Sequence, residues 1–141
     1  MIKKKGFTLI ELLIVIAIIG VLASIVLVSM GGARSKARDA VRQSDARQIG
    51  SAMELYYSDG DVYLTSATVP TAIGTYMTTF PKDPKTKAGY GWLTNVGDDQ
   101  KYCVYMTMEN KGSCTTTRYY TSSHKGTAEL CDTAPTALTC P

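Results

Sequence analysis

The first thirty residues contain a long apolar stretch that is almost free of charge. Apolar character runs from Phe7 to Met30, and no charged residue occurs between Leu12 and Val28. If these 24 residues are helical, they span about 36 Å, more than the roughly 30 Å hydrocarbon core of a bilayer. The stretch is too long for the apolar region of a secretory signal, and no small-residue cleavage site follows it. The pattern therefore predicts a membrane-spanning helix that the mature protein keeps.

After the pair Gly31-Gly32, apolar and small residues recur at the helical spacing i, i+3, i+4 and i+7. This pattern predicts that residues 31–58 are the amphipathic half of one long helix, which ends at Ser58-Asp59-Gly60. Because acidic residues lie between the basic ones, we expect its charged face to be solvated or to form a contact surface, rather than a DNA or lipid-headgroup site. The predicted inward positions are Ala37, Ala40, Val41, Ser44, Ile49, Ala52, Met53 and Tyr56, and the predicted outward positions are Arg34, Arg38, Arg42, Asp45 and Arg47.

The rest of the chain, 59–141, predicts a small globular head. Residues 60–88 lack a sustained period and contain three of the five prolines, which is typical of a long loop. Alternating apolar residues then predict a small antiparallel sheet, so the fold class is α+β with a long N-terminal helix packed on that sheet. The predicted strands are Tyr90–Thr94, Lys101–Glu109 and Cys114–Thr121, with a turn at Asn110-Lys111-Gly112 between the last two.

The net charge of +3 is concentrated at one end of the chain. Lys3, Lys4 and Lys5 supply all of it, and without them 12 basic residues face 12 acidic ones. A nucleic-acid-binding domain normally carries a basic patch that neutralises phosphates. The neutral remainder of this chain therefore argues against that class.

All four cysteines, Cys103, Cys114, Cys131 and Cys140, lie near the C-terminus. An even number in a small domain behind a membrane segment predicts two disulfides in an oxidising compartment, which leaves the N-terminus in the cytoplasm. Local pairs, 103 with 114 and 131 with 140, need the least chain rearrangement, but the spacing leaves all three pairings open. The tail Lys125–Pro141 has little pattern, and we expect its cysteines to hold it.

The N-terminal residues resemble a known processing signal. The stretch KKKGFTLIELLIVIAIIGVLASI, residues 3–25, is similar to the class III signal of type IV prepilins and of the related type II secretion pseudopilins. This resemblance implies a leader, 1–6, that a membrane peptidase removes by cutting between Gly6 and Phe7, followed by N-methylation of Phe7. Glu11 is then the fifth residue of the mature chain, as the family pattern requires. The motif FPKDP at Phe80–Pro84, followed by GYGW, also resembles a loop-to-strand junction of pilin heads.

The resemblance implies a pilin-like architecture and a structural function. In this family, the apolar half of the helix, here 7–30, spans the membrane before assembly and then packs in the core of a filament, while 31–58 supports the head. The implied protein is a subunit of a type IV pilus-like filament, inserted in the cytoplasmic membrane as a single-pass prepilin. Its mature form lies in an extracellular or periplasmic filament. The implied partners are further copies of this chain, the prepilin peptidase and methyltransferase, and an assembly platform protein with its ATPase complex.

Glu11 needs a partner if it enters an apolar filament core. A buried charge is tolerated when it is paired, and removing one partner of a buried pair typically costs about 3–5 kcal/mol. Cleavage after Gly6 creates an ammonium group on Phe7, and the resemblance implies that Glu11 of one subunit pairs with Phe7 of its neighbour. Glu11 is therefore the predicted assembly residue.

Two alternatives remain beside the pilus subunit. The first is a pseudopilin or minor pilin of a secretion or DNA-uptake system. The second is a single-pass anchored binding domain that never polymerises, in which Glu11 reaches the membrane interface. Gly6, Phe7 and Glu11 are the residues that speak against the second alternative.

The head offers few residues for catalysis or ligand binding. His124 follows Ser122 and Ser123 without an acidic residue nearby in sequence, so no enzyme, cofactor or small-molecule substrate is predicted. There is no CxxC pair, and His124 has no partner at ligand spacing, so no zinc site is predicted. Some major pseudopilins bind calcium in C-terminal loops, but the Asp98-Asp99 pair and Asp132 form no ordered acidic ladder. They are expected to be surface turn residues.

Overall fold

The computed structural model describes residues 6–136 and residue 140, with the backbone alone at residues 28 and 29. Most of the predicted leader, including Lys3, Lys4 and Lys5, lies outside the described residues, and so does Pro141. The chain forms two compact units, Met1–Arg34 and Ser35–Pro141. We describe each unit by itself.

A single helix, α1, Leu9–Gly60, contributes to both units. It continues through the Gly31-Gly32 pair, although each glycine weakens a helix by about 1 kcal/mol relative to alanine. After the last helical residue, Asp61 adopts a left-handed backbone with φ 55°, and its N–H donates to the carbonyl of Tyr57 at 2.8 Å. This turn ends the helix within the predicted Ser58-Asp59-Gly60 segment.

The α1 residues of the first unit present apolar side chains that no described residue of the unit covers. Every described side chain from residue 6 to residue 27 is exposed. A Cβ atom placed on Gly20, Gly31 or Gly32 would meet no atom within 4 Å, so packing inside the unit does not require these glycines. Within the described ranges, α1 is the one helix long and apolar enough to cross a membrane, with a mean hydropathy of 3.1 in its apolar part.

The second unit contains a four-stranded antiparallel sheet in which consecutive strands are neighbours. Together with α1, this sheet confirms the predicted α+β fold class. In β1–β2 Trp92 lies opposite Val104, in β2–β3 Met106 lies opposite Tyr120, and in β3–β4 Tyr119 lies opposite Leu130. The strands are β1 Gly91–Leu93, β2 Cys103–Thr107, β3 Arg118–Ser123 and β4 Gly126–Cys131.

The structure corrects two predictions about the sheet. The third strand begins at Arg118 rather than Cys114, because backbone N–H groups of residues 115–117 donate to the carboxylate of Asp132 instead of to a strand. The tail, for which the sequence predicts no regular element, also forms a strand, β4. A tight turn at residues 124–125 and a left-handed Gly126, with φ 109°, pair β4 with β3.

The core of the second unit lies between α1 and one face of the sheet. Ile49 and Met53 of α1 are fully buried, as are Val104 and Met106 of β2. Trp92 packs against this core and meets Phe80 edge-on, with ring centroids 6.3 Å apart. The other buried apolar residues of the cluster are Ala46, Ala52, Tyr63, Ile73, Phe80, Tyr90, Tyr102 and Met108.

The predicted faces of α1 are right near Ile49 and wrong two to three turns earlier. Ala37, Ala40 and Val41 are exposed, whereas Asp39 and Arg42 are buried. Arg42 was predicted to face outward and is instead 2% exposed. The reversal is possible because carboxylates from distant parts of the chain neutralise the buried guanidinium, as described below.

The long loop between α1 and β1 is held by hydrogen bonds to Asn95. The side-chain amide of this buried residue donates to the carbonyls of Leu64 and Lys101, both at 3.0 Å, and its oxygen accepts from the N–H of Ser66 at 2.8 Å. The indole N–H of Trp92 donates to the carbonyl of Ser66 at 3.0 Å. These bonds satisfy buried polar groups and connect the loop to the sheet.

Two disulfides lie in the head, as the sequence predicted. Cys103 is bonded to Cys140, and Cys114 is bonded to Cys131. The bonds are nested, so neither of the two local pairs that needed the least chain rearrangement is formed. The first bond ties the chain end to β2, and the second ties the end of β4 to the loop before β3.

Candidate functional site

A capping box starts α1 at the predicted processing segment. Thr8 precedes the first helical residue, and its N–H and hydroxyl both donate to Oε2 of Glu11, at 2.8 and 2.9 Å. The N–H of Glu11 donates in return to the hydroxyl of Thr8 at 3.2 Å. Thr8 and Glu11 thus satisfy donors that the first helical turn leaves free, and the carboxylate lies at the positive end of the helix dipole.

The three predicted residues of this segment, Gly6, Phe7 and Glu11, lie at the start of α1. Gly6 and Phe7 are exposed and precede the helix, and Phe7 is 82% exposed. A Cβ atom on Gly6 would meet no described atom within 4 Å. Within the described part of the chain, both hydrogen bonds to the Glu11 carboxylate use Oε2, which leaves Oε1 for another donor.

A partly buried ionic cluster joins α1 to the head, and sequence reasoning missed it. The guanidinium of Arg42 donates to Asp39 at 2.8 Å, to Asp83 at 2.7 Å and to Glu109 at 2.9 Å. Arg38 adds a two-pronged contact to Glu109, with nitrogen–oxygen distances of 2.6 and 2.7 Å. We call Arg38, Asp39, Arg42, Asp83 and Glu109 the Arg42 cluster.

Asp39 connects the cluster to the turn after β2. Its carboxylate accepts from the backbone N–H groups of Glu109 and Asn110, at 2.8 and 2.9 Å, and from the side-chain amide of Asn110 at 2.7 Å. Helix α1 and this turn are therefore joined by charge-assisted hydrogen bonds at a point where a carboxylate alone would be costly to bury.

The cluster shifts the pKa values of its members in the directions that keep them charged. The hydrogen bond from Arg38 lowers the pKa of Glu109 to about 2. Burial by itself raises the pKa values of Asp39 and Asp83, but their hydrogen bonds outweigh burial and hold both pKa values below the usual range. Burial likewise opposes the charge of Arg42, yet its carboxylate partners raise its pKa.

A cavity of about 320 Å³ lies beside the Arg42 cluster, between the loop before β1 and strand β2. Its charged walls are Arg42, Asp83 and Glu109, which already bind one another, together with the exposed Lys85. Because these charges are satisfied within the protein, the cavity has no free charge of the cluster with which to hold a ligand.

The aspartates considered for calcium are placed apart. Asp98 forms an ion pair with Lys101 at 2.8 Å. The Asp132 carboxylate accepts backbone N–H bonds from Thr115, Thr116 and Thr117, of which the bond from Thr116 contributes most to lowering its pKa. Among the described residues, no group of three or more histidine, cysteine or acidic side chains could hold a metal ion.

Sequence reasoning missed both the capping box and the Arg42 cluster, and the sequence contains a signal for the capping box alone. Thr8-Leu9-Ile10-Glu11 has the T-x-x-E spacing of a capping box just before an apolar run, so the cap was readable. The Arg42 cluster had no such signal, because Asp83 and Glu109 are 41 and 67 residues from Arg42.

Comparisons with known proteins match both the N-terminal segment and a larger part of the chain. A family model described as the prokaryotic N-terminal methylation motif matches residues 1–27. Type II secretion system core protein G of Aeromonas hydrophila is 30% identical over 97 residues, which cover 69% of this chain and 67% of that protein. The protein of the same name from Pectobacterium carotovorum subsp. carotovorum is 32% identical over 97 residues, covering 69% of this chain and 62% of that protein.

A pilus protein is also similar to this chain. Type IV wide pilus major component PilA4 of Thermus thermophilus is 38% identical over 72 residues, covering 51% of this chain and 55% of that protein. The chain spans less than two thirds of the length of several curated relatives that it matches. An α+β head behind an apolar helix, with a methylation motif at its start, defines a membrane-anchored pilin-like protein. The chain belongs to the family of type IV pilins and type II secretion pseudopilins, as its N-terminal residues predicted.

Proposed function

We propose that this chain is a structural subunit that polymerises into a filament through the apolar residues of α1. The observation that carries the proposal is the methylation motif over residues 1–27, which starts a helix whose described apolar side chains are exposed from residue 9 to residue 27. Exposed apolar surface of this extent requires lipid or other protein to cover it. A membrane covers it in the precursor, and neighbouring copies cover it in the filament.

The processing step follows from the same segment. A prepilin peptidase cuts between Gly6 and Phe7, and methylation of the new N-terminus leaves a charged amine on Phe7. Glu11 of an incoming subunit pairs with this amine on its neighbour. The capping box supports this pairing, because Thr8 occupies Oε2 of the Glu11 carboxylate and leaves Oε1 to accept from the amine.

We place the filament in a secretion system of the type II class. Several relatives bear the name type II secretion system core protein G, and three of them align over 69% of this chain. The second candidate is the major subunit of a type IV pilus, which the 38% identity to PilA4 of Thermus thermophilus favours. Both candidates share the same precursor, a single-pass protein of the cytoplasmic membrane with its N-terminus in the cytoplasm.

In this proposal the chain has no catalytic activity of its own. Its partners are further copies of itself, the processing enzyme, and the platform protein and ATPase complex that drive assembly. The partly buried Arg42 cluster serves to hold the head on α1, and its charged groups bind one another rather than a substrate.

The experiment is to shear filaments from the cells that make this protein and to measure the intact mass of the subunit. We expect residues 7–141 with one added methyl group, two disulfides, and helical filaments in electron micrographs. A surface-exposed subunit that still carries Lys3, Lys4 and Lys5 would contradict the processing step. Cells that contain the processed protein but form no filaments of it, either on the surface or in the periplasm, would favour the anchored binding domain.

To distinguish the two candidate functions, protein export and the number of surface pili are measured in cells with and without the gene. Loss of an exported enzyme with pili unchanged supports the secretion assignment. Loss of pili with export unchanged supports the pilus assignment.

A further inference from the structure

A groove of about 420 Å³ runs along one side of α1 in the second unit. Arg47, Ser51 and Leu55 lie along its helix wall, and Tyr76 and Met77 form part of the opposite wall. Leu55 is 52% exposed and Tyr76 is 37% exposed, so the groove presents apolar surface to solvent. The hydroxyl of Tyr76 donates to Asp59, which holds the tyrosine ring in place.

Arg47 gives this groove a positive charge that the described residues do not neutralise. It is exposed and takes part in none of the ion pairs among the described residues, in contrast to Arg38 and Arg42 on the same helix. The groove therefore combines an apolar surface with one available cation. A matching ligand has an apolar group next to an anion.

The turn between β1 and β2 has that combination. Val96 at its tip is 67% exposed, the highest value for a large apolar side chain among the described residues of the second unit. Asp99, three residues later, is exposed, and its carboxylate accepts only a hydrogen bond of 3.3 Å from Gln100 within the described residues. Asp98 differs because Lys101 already pairs with it.

The base of this turn is rigid although its tip is exposed. Buried Asn95 makes three side-chain hydrogen bonds, and its carbonyl accepts from the N–H of Asp98 at 3.0 Å across the turn. Gly97 supplies the left-handed backbone, with φ 92°, that the turn requires. A preorganised tip loses little conformational entropy when it binds.

The dimensions of the two surfaces agree. Arg47 and Leu55 are eight residues apart on α1, about 12 Å along the helix axis. Val96 and Asp99 are three residues apart, so their Cα atoms are at most about 10 Å apart, and the long arginine side chain covers the difference. The groove walls do not include residues 96–99, so the turn of one molecule does not fill the groove of that same molecule.

We propose that the turn at residues 96–99 of one copy docks in this groove of a second copy, with Val96 against Leu55 and Tyr76 and with Asp99 paired to Arg47. The two surfaces differ, so the contact is heterologous, and a heterologous contact that does not close into a ring extends into an open helical array. The inference rests on the proposed filament function and adds a specific contact between heads. A tip in a groove buries too little surface to hold a dimer in solution, so the contact forms only where α1 packing brings copies together.

The experiment reverses the charges in the full-length protein in its own cells. Arg47→Glu and Asp99→Arg should each lower the yield of sheared filaments by about tenfold or more, and the double variant should recover to within about twofold of the unchanged protein. Lys125→Glu is the matched control, because Lys125 is another exposed cation without an ion pair in the described residues, and it should leave the yield unchanged. The membrane level and disulfides of every variant are measured, so that a folding defect is separated from an assembly defect.

A second measurement locates the contact directly. A photoreactive amino acid at position 96 should crosslink, in filaments, to a peptide containing residue 55 or 76 of another copy. Crosslinks to other parts of the neighbouring copy or to a different protein would overturn the docking. Normal filament yields from both single variants would overturn it as well while leaving the filament function intact, whereas an unchanged protein that forms no filaments would refute the filament function and the docking together.

Discussion

Arg42 shows how one buried cation can determine the placement of several chain segments. Three carboxylates from α1, from the loop before β1 and from the turn after β2 converge on its guanidinium. Replacing a buried cation with an apolar side chain lowers the stability of the fold when the carboxylates that it paired with stay buried. The cluster therefore acts as a specific connection between the helix and the head.

We expect Arg42→Met to destabilise the head by about 3–5 kcal/mol, because it removes the cation that three carboxylates share. Glu109 keeps its contact with Arg38, whereas Asp83 loses its ion pair. Trp92 is the single tryptophan and packs against the core, so its fluorescence reports unfolding in urea. Arg47→Met on the same helix is the matched control and should change the stability by no more than about 0.5 kcal/mol, because Arg47 is exposed. Equal stabilities of the two variants would show that the cluster is not important for folding.

The same carboxylates predict a loss of stability in acid. Their folded pKa values lie below the unfolded values of about 4, so the unfolded chain takes up protons first as the pH falls. The stabilisation is complete above about pH 4 and is lost as the pH falls toward the folded pKa of Glu109, about 2. Asp45 acts in the opposite direction, because burial raises its pKa.

The urea midpoint of unfolding can be measured by Trp92 fluorescence at pH 7, 4 and 2.5. It should decrease mainly between pH 4 and pH 2.5. Glu109→Gln removes one titrating group and should make that fall smaller. A midpoint that does not change between pH 4 and 2.5 would contradict the assignment of low pKa values to the cluster.

At the scale of elements, the outer face of the sheet depends on a glycine. The ring of Tyr105 lies over Gly91 of the neighbouring strand, where a Cβ atom would collide with it. Tyr105 also meets Tyr119 of β3 edge-on, with ring centroids 6.0 Å apart. The glycine thus allows an aromatic side chain to cover strand β1 and to connect it with β3.

Gly91→Ala should destabilise the head by about 1–3 kcal/mol, the usual cost of overpacking a close contact. The same substitution in a Tyr105→Ala background should cost much less, because the ring that it displaces is gone. Urea unfolding of the two single variants and the double variant measures this coupling. Additive effects would show that the tyrosine ring is not what makes alanine unfavourable at position 91.

At the scale of the whole molecule, charge and apolar surface are distributed differently in the two units. The described residues of the first unit contain one acidic side chain, Glu11, within an exposed apolar helix. The second unit buries its apolar residues and has equal numbers of acidic and basic residues. The first unit therefore carries the surface that must be covered, and the second unit folds around its own core.

Glu11→Ala should leave membrane insertion, processing and both disulfides intact while filaments become rare, because the carboxylate needs the Phe7 amine only in a filament core. The capping box adds a small local cost of about 1 kcal/mol at the helix start. Glu11→Gln can still accept from Thr8 but cannot neutralise the amine, so it should also assemble poorly. Filament counts and intact masses of both variants measure this, and normal filaments from Glu11→Gln would show that the cap, not the charge pair, is what assembly needs.

The sequence by itself determined the features that arise from neighbouring residues. The apolar run from Phe7 to Met30, the helix end near Gly60 and the α+β class follow from local pattern, and the family follows from a short motif. Even the missed capping box is present in the sequence as four consecutive residues, Thr8–Glu11. Strand β4 could also have been predicted, since polar and apolar residues alternate from Thr127 to Leu130 after a glycine.

Only the tertiary structure decided which charges are buried, which cysteines pair and which surfaces stay open. Arg42 looks like an outward residue in any helical pattern, because its partners at residues 83 and 109 reach it only when the chain has folded. The nested disulfides likewise depend on the positions of β2 and β4 rather than on spacing. Local periodicity records the preference of each segment for helix or strand, whereas burial of a charge depends on partners that are distant in the chain.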